Sequence, residues 1–295
     1  MPLLSLISCS TPFSRTKRWS LCTRLPGTIA AVVLFAVAAV HTNCIRRPLT
    51  IDVAANVKIV ERTIRTDGET RSYYVYLPAV VNPDERLPVL LYLHGSGQDG
   101  DIWDIAGNLG AELRMNPGLF PCIIVFPRCP GFNYWIGPVS RYAVAAMLES
   151  AGEFHGDTSR LLVSGVSIGG YGSYICAIEN PGTFAAVAPI CGGAVPPVQL
   201  TLQQQRQLSP ACRQVLDAQD PYAAMASLLG KTPVWLFHGS EDEMVPVSES
   251  RSMESALKTA GGNVRYTEFK DMGHDISRSV YGDRDFLAWL FSQRR

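Results

Sequence analysis

Three side chains able to perform acyl transfer lie far apart in this chain of 295 residues: Ser167, Asp242 and His274. Ser167 sits in Gly165-Val166-Ser167-Ile168-Gly169, followed at once by Gly170-Tyr171-Gly172. An apolar run over 160–164 reads as a buried strand, and 171–179 reads as a helix. A serine with glycines two residues before and after it, at a strand-to-helix turn, is the nucleophile-elbow pattern. The turn is tight enough to strain the serine backbone, and side chains at the flanking positions would collide with neighbouring elements. The hydroxyl is thereby pushed out above the sheet, at the positive end of a helix. A serine hydroxyl is a weak nucleophile until a base takes its proton. His274, in Asp271-Met272-Gly273-His274-Asp275, is the candidate base. Asp242, in the segment from His238 to Pro246, is the candidate carboxylate that fixes the imidazole tautomer. Glu241 and Glu243 are alternatives by sequence, whereas Asp271 and Asp275 stand too near His274 along the chain. The backbone N–H groups of Ile168 and Ser96, with Gly97 close behind Ser96, are the candidate oxyanion donors. Such donors are worth about 3–4 kcal/mol each where they have been measured.

The elements that must position these groups follow from the hydrophobic pattern. Segments 57–66 and 71–77 alternate as a hairpin turned at Asp67-Gly68. Runs at 89–93, 123–126, 161–164, 184–190, 234–237 and 264–269 read as strands. Segments 102–115, 139–154, 222–229, 247–260 and 280–291 read as helices. Such alternation predicts a doubly wound, mostly parallel sheet flanked by helices. Ligands in such sheets gather at the carboxyl ends of the strands, and Ser167, Asp242 and His274 each follow a strand there. So do His94-Gly95 and Cys191-Gly192. Segment 194–231 is too short for a large lid. An open site is therefore expected, with Gly95, Trp103, Tyr134, Trp135 and Tyr171 against the substrate; for the four aromatics a place in the core is the competing reading. His94, His155 and His238 read as loop or packing residues, and Asp157 as a turn former.

The chain carries 26 basic and 26 acidic side chains, so nothing in its charge points to nucleic acid. Basic residues at 15, 17, 18 and 24 precede an uncharged apolar run over 28–40. That is the order of a secretory signal or an uncleaved anchor, and the run is short for a membrane span of about 20 residues. Residues 1–50 are read as this segment and 51–295 as one catalytic domain, secreted, periplasmic or held at a membrane by the N-terminal segment alone. None of the eight cysteines shows a Cys-x-x-Cys spacing. Export would permit Cys122–Cys129 or Cys191–Cys212 as disulfides.

Taken together, the segments Leu93-His94-Gly95-Ser96-Gly97, Val125-Phe126-Pro127-Arg128-Cys129-Pro130, Gly165 to Gly172, Phe184 to Gly193, His238 to Pro246, and Gly273-His274 carry a resemblance. The chain resembles α/β-hydrolases of the serine esterase and prolyl-oligopeptidase-like group, including dienelactone-hydrolase-like and poly-hydroxybutyrate-depolymerase-like esterases, over residues 57–295. The resemblance implies the α/β-hydrolase fold and cleavage of a small-molecule or carbohydrate-linked ester through an acyl-enzyme, with no metal and no cofactor. Asp275-Ile276-Ser277-Arg278 departs from the aromatic residue that relatives often carry after the histidine. A peptidase is the second enzymatic reading, and a non-catalytic binding protein on the same fold is the third. A metal-dependent hydrolase is disfavoured because no His-x-x-x-His pair occurs.

Overall fold

A strand covered on both faces must be apolar at every position, and all seven residues of Leu87–Leu93 are buried. The computed structural model describes residues 50–295 except 55–56, 79–83, 99, 132 and 198–199. The elements in chain order are β1 (Thr50–Ala54), β2 (Val57–Thr66), β3 (Glu69–Leu77), β4 (Leu87–Leu93), α1 (Ile102–Met115), β5 (Ile123–Pro127), α2 (Pro138–Glu153), β6 (Gly156–Val166), α3 (Ile168–Glu179), β7 (Ala186–Ile190), α4 (Leu202–Gln207), α5 (Pro210–Leu216), α6 (Pro221–Leu229), β8 (Val234–Gly239), α7 (Ser248–Thr259), β9 (Val264–Phe269), α8 (Ser277–Tyr281) and α9 (Arg284–Ser292). Among the described residues they build one nine-stranded sheet in the order β1-β2-β3-β5-β4-β6-β7-β8-β9. The first three strands are antiparallel, and β5 through β9 run parallel around β4 and β6. This is the doubly wound, mostly parallel sheet that the alternation predicts.

Successive strand residues point to opposite faces, so the core divides into two. Val89, Leu91 and Leu93 pack with α2, α3, α5, α6 and α7 on one face. Leu90 and Tyr92 pack with α1, α8 and α9 on the other. This division removes both expected disulfides. Cys122 and Cys191 belong to one face, Cys129 and Cys212 to the other, and all five described cysteines are free and buried.

Three local expectations are corrected. The closing helix is two helices, because the Asp283 carboxylate accepts the N–H groups of Asp285 and Phe286 and starts α9 anew. Strand β6 begins at Gly156, so Asp157 lies within it and accepts from Ser159 N–H at 2.9 Å and its Oγ at 2.6 Å. Segment 194–231 contains α4 and α5 besides the expected α6. Thr201 and Ser209 cap these two helices by accepting backbone N–H groups, a signal readable from their residue types. The expected leader or anchor and the cysteines at 9, 22 and 44 lie outside the described residues. No described helix is long and apolar enough to cross a membrane.

The turn between β6 and α3 depends on missing side chains. A Cβ on Gly169 would stand 1.9 Å from the Leu93 carbonyl oxygen and 2.8 Å from that of His94. Those are backbone atoms at the end of β4 and of the residue that follows it, so no rotamer change relieves the clash. Gly169→Ala is expected to destabilise the fold by about 3 kcal/mol or more, the upper range for overpacking. Urea unfolding checks this.

Candidate active site

Ser167 follows β6 and precedes α3 with φ 58° and ψ −119°, a strained conformation for a residue with a Cβ. Its N–H donates to Ile190 O at 2.9 Å, and its carbonyl accepts from Gly170 N–H at 2.8 Å. These bonds hold the turn between β7 and the first turn of α3. Ser167 lines a cavity of about 330 Å³ together with Gly95, Ser96, Gln98, Asn108 and His274.

The acid and histidine loops are tied to each other. Gly239 ends β8, and a Cβ there would lie 2.1 Å from Gly273 O; the close approach of the two loops needs glycine. Ser240 N–H donates to Phe269 O at 2.9 Å and Glu241 N–H to Met272 O at 2.9 Å. His274 Nδ1 then meets Asp242 Oδ2 at 2.7 Å. Glu241 and Glu243 are exposed beside it. His274 Nε2 is buried and without a protein partner.

Asp242 is held as a carboxylate from several sides. Its Oδ1 accepts from Met244 N–H and Val245 N–H, each at 2.9 Å. Burial pushes the carboxyl up, but the Val245 N–H, His274 and the Met244 N–H outweigh it and hold it below the usual carboxylate range. Sequence reasoning treated His238 as a packing residue and missed its contact here. Its ring is fully buried, with Nε2 at 2.9 Å from Val245 O and 3.2 Å from Asp242 Oδ2. Nδ1 lies 2.7 Å from Ser250 Oγ. A carbonyl only accepts, so Nε2 carries the proton and Nδ1 accepts from the serine hydroxyl. Burial lowers the pKa of His238 and keeps it neutral. The signal available in sequence was its place at a strand end, four residues before Asp242.

Cys191 completes the surroundings. Its Sγ donates to His274 O at 3.4 Å, and burial pushes the thiol up, so it stays protonated. Cys191, His238 and Asp242 are the one group of metal-type ligands among the described residues, with donor atoms within 4.8 Å of one another. Each already has a protein partner, and a cation there would have to displace the hydrogen bonds just described.

The loop after β4 lies against Ser167. A Cβ on Gly95 would stand 3.7 Å from Ser167 Cβ, and Gly95 N–H donates to Gln98 Oε1 at 2.8 Å. Ser96 lines the cavity one residue further on. Buried His94 braces this loop, as expected: Nδ1 lies 2.7 Å from Gly95 O, and Nε2 accepts Cys129 N–H at 2.9 Å.

Of the five expected substrate contacts, Gly95 lines the cavity and the four aromatics do not. Trp135 is wholly buried, its indole N–H donating to His94 O at 3.2 Å. Tyr134 and Tyr171 are buried and pack edge to face, with centroids 5.4 Å apart. Trp103 lies under the Arg114 guanidinium at 4.6 Å. The core reading holds for Tyr134, Trp135 and Tyr171 because their rings are buried in the core on the α2–α3 face of the sheet, where large aromatic area favours burial.

Comparison with known proteins places this arrangement in context. A bifunctional acetylxylan esterase/xylanase of Neocallimastix patriciarum is 30% identical over 132 residues, covering 43% of this chain. The chain spans 19% of the length of that curated relative. A crystallised thermostable esterase superposes with a TM-score of 0.64 at 26% identity, over 80% of this chain and 63% of its own. A ferulic acid esterase superposes with a TM-score of 0.60 at 19% identity, over 80% of this chain and 99% of its own. The fold is that of the α/β-hydrolases. The family model for prolyl oligopeptidases matches residues 141–294, from α2 through the elbow, Asp242 and His274 to α9. That match takes in just over half of the sequence, and the chain belongs to the prolyl oligopeptidase family.

Proposed function

We propose that the protein is a carboxylic-ester hydrolase working through an acyl-enzyme on Ser167. The observation that carries this is the orientation of His274. One ring nitrogen is fixed on Asp242 at 2.7 Å, the other is buried with no protein partner, and His274 and Ser167 line the same cavity. In the first half-reaction, His274 Nε2 takes the Ser167 proton as Oγ bonds to the acyl carbon. The backbone N–H groups of Ile168 and Ser96 hold the resulting oxyanion. His274 returns the proton to the leaving alcohol as its C–O bond breaks. Water, deprotonated by His274, then releases the acid and restores Ser167. Asp242 holds Nδ1–H throughout and stabilises the charged imidazole. The curated relative and solved structures that carry esterase names support a small-acyl or carbohydrate-linked ester as substrate. The basic-then-apolar order of the N-terminal segment supports export.

The test is hydrolysis of para-nitrophenyl acetate by the full chain, beside a proline-containing aminoacyl nitroanilide and the Ser167→Ala variant. Serine-dependent ester turnover with the anilide untouched is expected. Anilide cleavage at a comparable rate would make the protein a peptidase instead.

His238 acts in this scheme as a positioning residue for Asp242. His238→Ala removes a hydrogen bond to a charged group, worth about 1.5–3 kcal/mol, or roughly 10- to 150-fold in rate. The loss is expected in kcat, with KM for the small ester little changed and partial recovery in His238→Gln. Steady-state kinetics of the two variants decide it.

A further inference from the structure

We propose that the side of the cavity next to His274 is the subsite for the alcohol part of the ester, formed by Asn108, Asp275 and Ser277 and taking a hydroxylated ring such as a sugar. This rests on the ester reading above. The general acid must reach the leaving oxygen, so the alcohol lies on the His274 side of the cavity. Asn108, Asp275 and Ser277 border the cavity with His274 and are polar, and the exposed Met244 of the Asp242 loop borders it as well. Asn108 Nδ2 donates to Asp275 Oδ1 and to Ser277 Oγ, each at 2.8 Å. Ser277 Oγ donates to the same Asp275 oxygen at 3.2 Å. All three residues line the cavity that holds Ser167 and His274.

The arrangement links two elements distant in sequence. Asn108 is presented by α1 just past Gly107, where φ is 50° and the helix kinks. Asp275 comes from the loop that carries His274, and Ser277 opens α8 at the end of that loop. Both bonds to Asp275 fall on Oδ1, leaving Oδ2 of an exposed carboxylate with no donor among the described residues. An ionised carboxylate is an acceptor only, and it suits the hydroxyl groups flanking an ester on a sugar ring. With the four aromatics placed elsewhere, this wall offers hydrogen bonds where an apolar alcohol would want apolar surface. A site built to bond hydroxyls discriminates against an analogue that lacks them.

The experiment compares kcat/KM for a monoacetylated methyl glucoside with that for cyclohexyl acetate, which has the same acyl group and a ring without hydroxyls. The wild-type full chain is expected to favour the glucoside ester by at least about tenfold, one charged hydrogen bond's worth. Asp275→Ala and Asn108→Ala are each expected to lower that ratio by about tenfold, and Asp275→Asn by less. Asn108 lies outside the histidine loop, so its variant separates recognition from damage to His274. A wild-type ratio near one, or a ratio unmoved by all three variants, overturns the subsite. Para-nitrophenyl acetate keeps the two readings apart. Serine-dependent turnover of it beside an unmoved ratio removes the subsite alone. Its absence overturns the ester reading and the subsite with it.

Discussion

Ser167→Ala is expected to lower kcat for para-nitrophenyl acetate by about a million-fold, the size found when a serine nucleophile acting within such a unit is removed. The effect is large because, in the proposed reaction, Ser167 forms and breaks the bonds while its neighbours only make that possible. The variant should fold normally. Ser167 is held through its backbone, by the bonds from its N–H to Ile190 O and to its carbonyl from Gly170 N–H, and alanine keeps both. Its strained φ of 58° is also no worse for alanine. Unchanged unfolding with lost turnover therefore reads out chemistry alone. Residual turnover above water is expected from the oxyanion donors and binding.

Asp242→Asn is expected to cost about ten thousand-fold in kcat, because the amide presents a donor to Nδ1 and stabilises the wrong tautomer of the base. The substitution also removes an anion that two backbone N–H groups and two histidine rings surround. A pH series of unfolding midpoints reports on this charge separately. The folded carboxyl lies below its ordinary value, so its contribution is complete above about pH 3.9. It is lost as pH falls through the lower folded value. Asp242→Asn should lack that acid-side loss at this one site. A variant that keeps wild-type kcat would mean that the carboxylate does not orient His274.

The parts of the fold and site that were legible in sequence are those carried by local patterns. Five consecutive apolar residues at 89–93 announce a strand buried on both faces, and the glycine spacing around Ser167 announces a tight turn. Strand ends directed attention to Ser167, Asp242 and His274, and the structure sets Asp242 rather than Glu241 or Glu243 against His274. The remainder depends on which face a residue meets, and that is not local. Trp135 and Tyr171 looked like pocket aromatics because they flank the right loops, yet both turn inward. Trp135 gains a partner for its indole N–H at His94 O, which makes full burial inexpensive. Asn108 and Ser277 are separated by 169 residues, and no periodicity announces that α1 delivers one to the other. The cysteine pairings failed for a related reason: sequence spacing does not tell which side of the sheet a thiol faces.

The acyl-enzyme on Ser167 is tested most directly by mixing the full chain with para-nitrophenyl acetate, quenching in acid within the first turnover, and mapping the modified peptide by mass spectrometry. The expected result is a single acetyl group on Ser167, formed with a burst of nitrophenol and absent in Ser167→Ala. Steady ester turnover with no acetyl on Ser167, or with the acetyl on another residue, would contradict it.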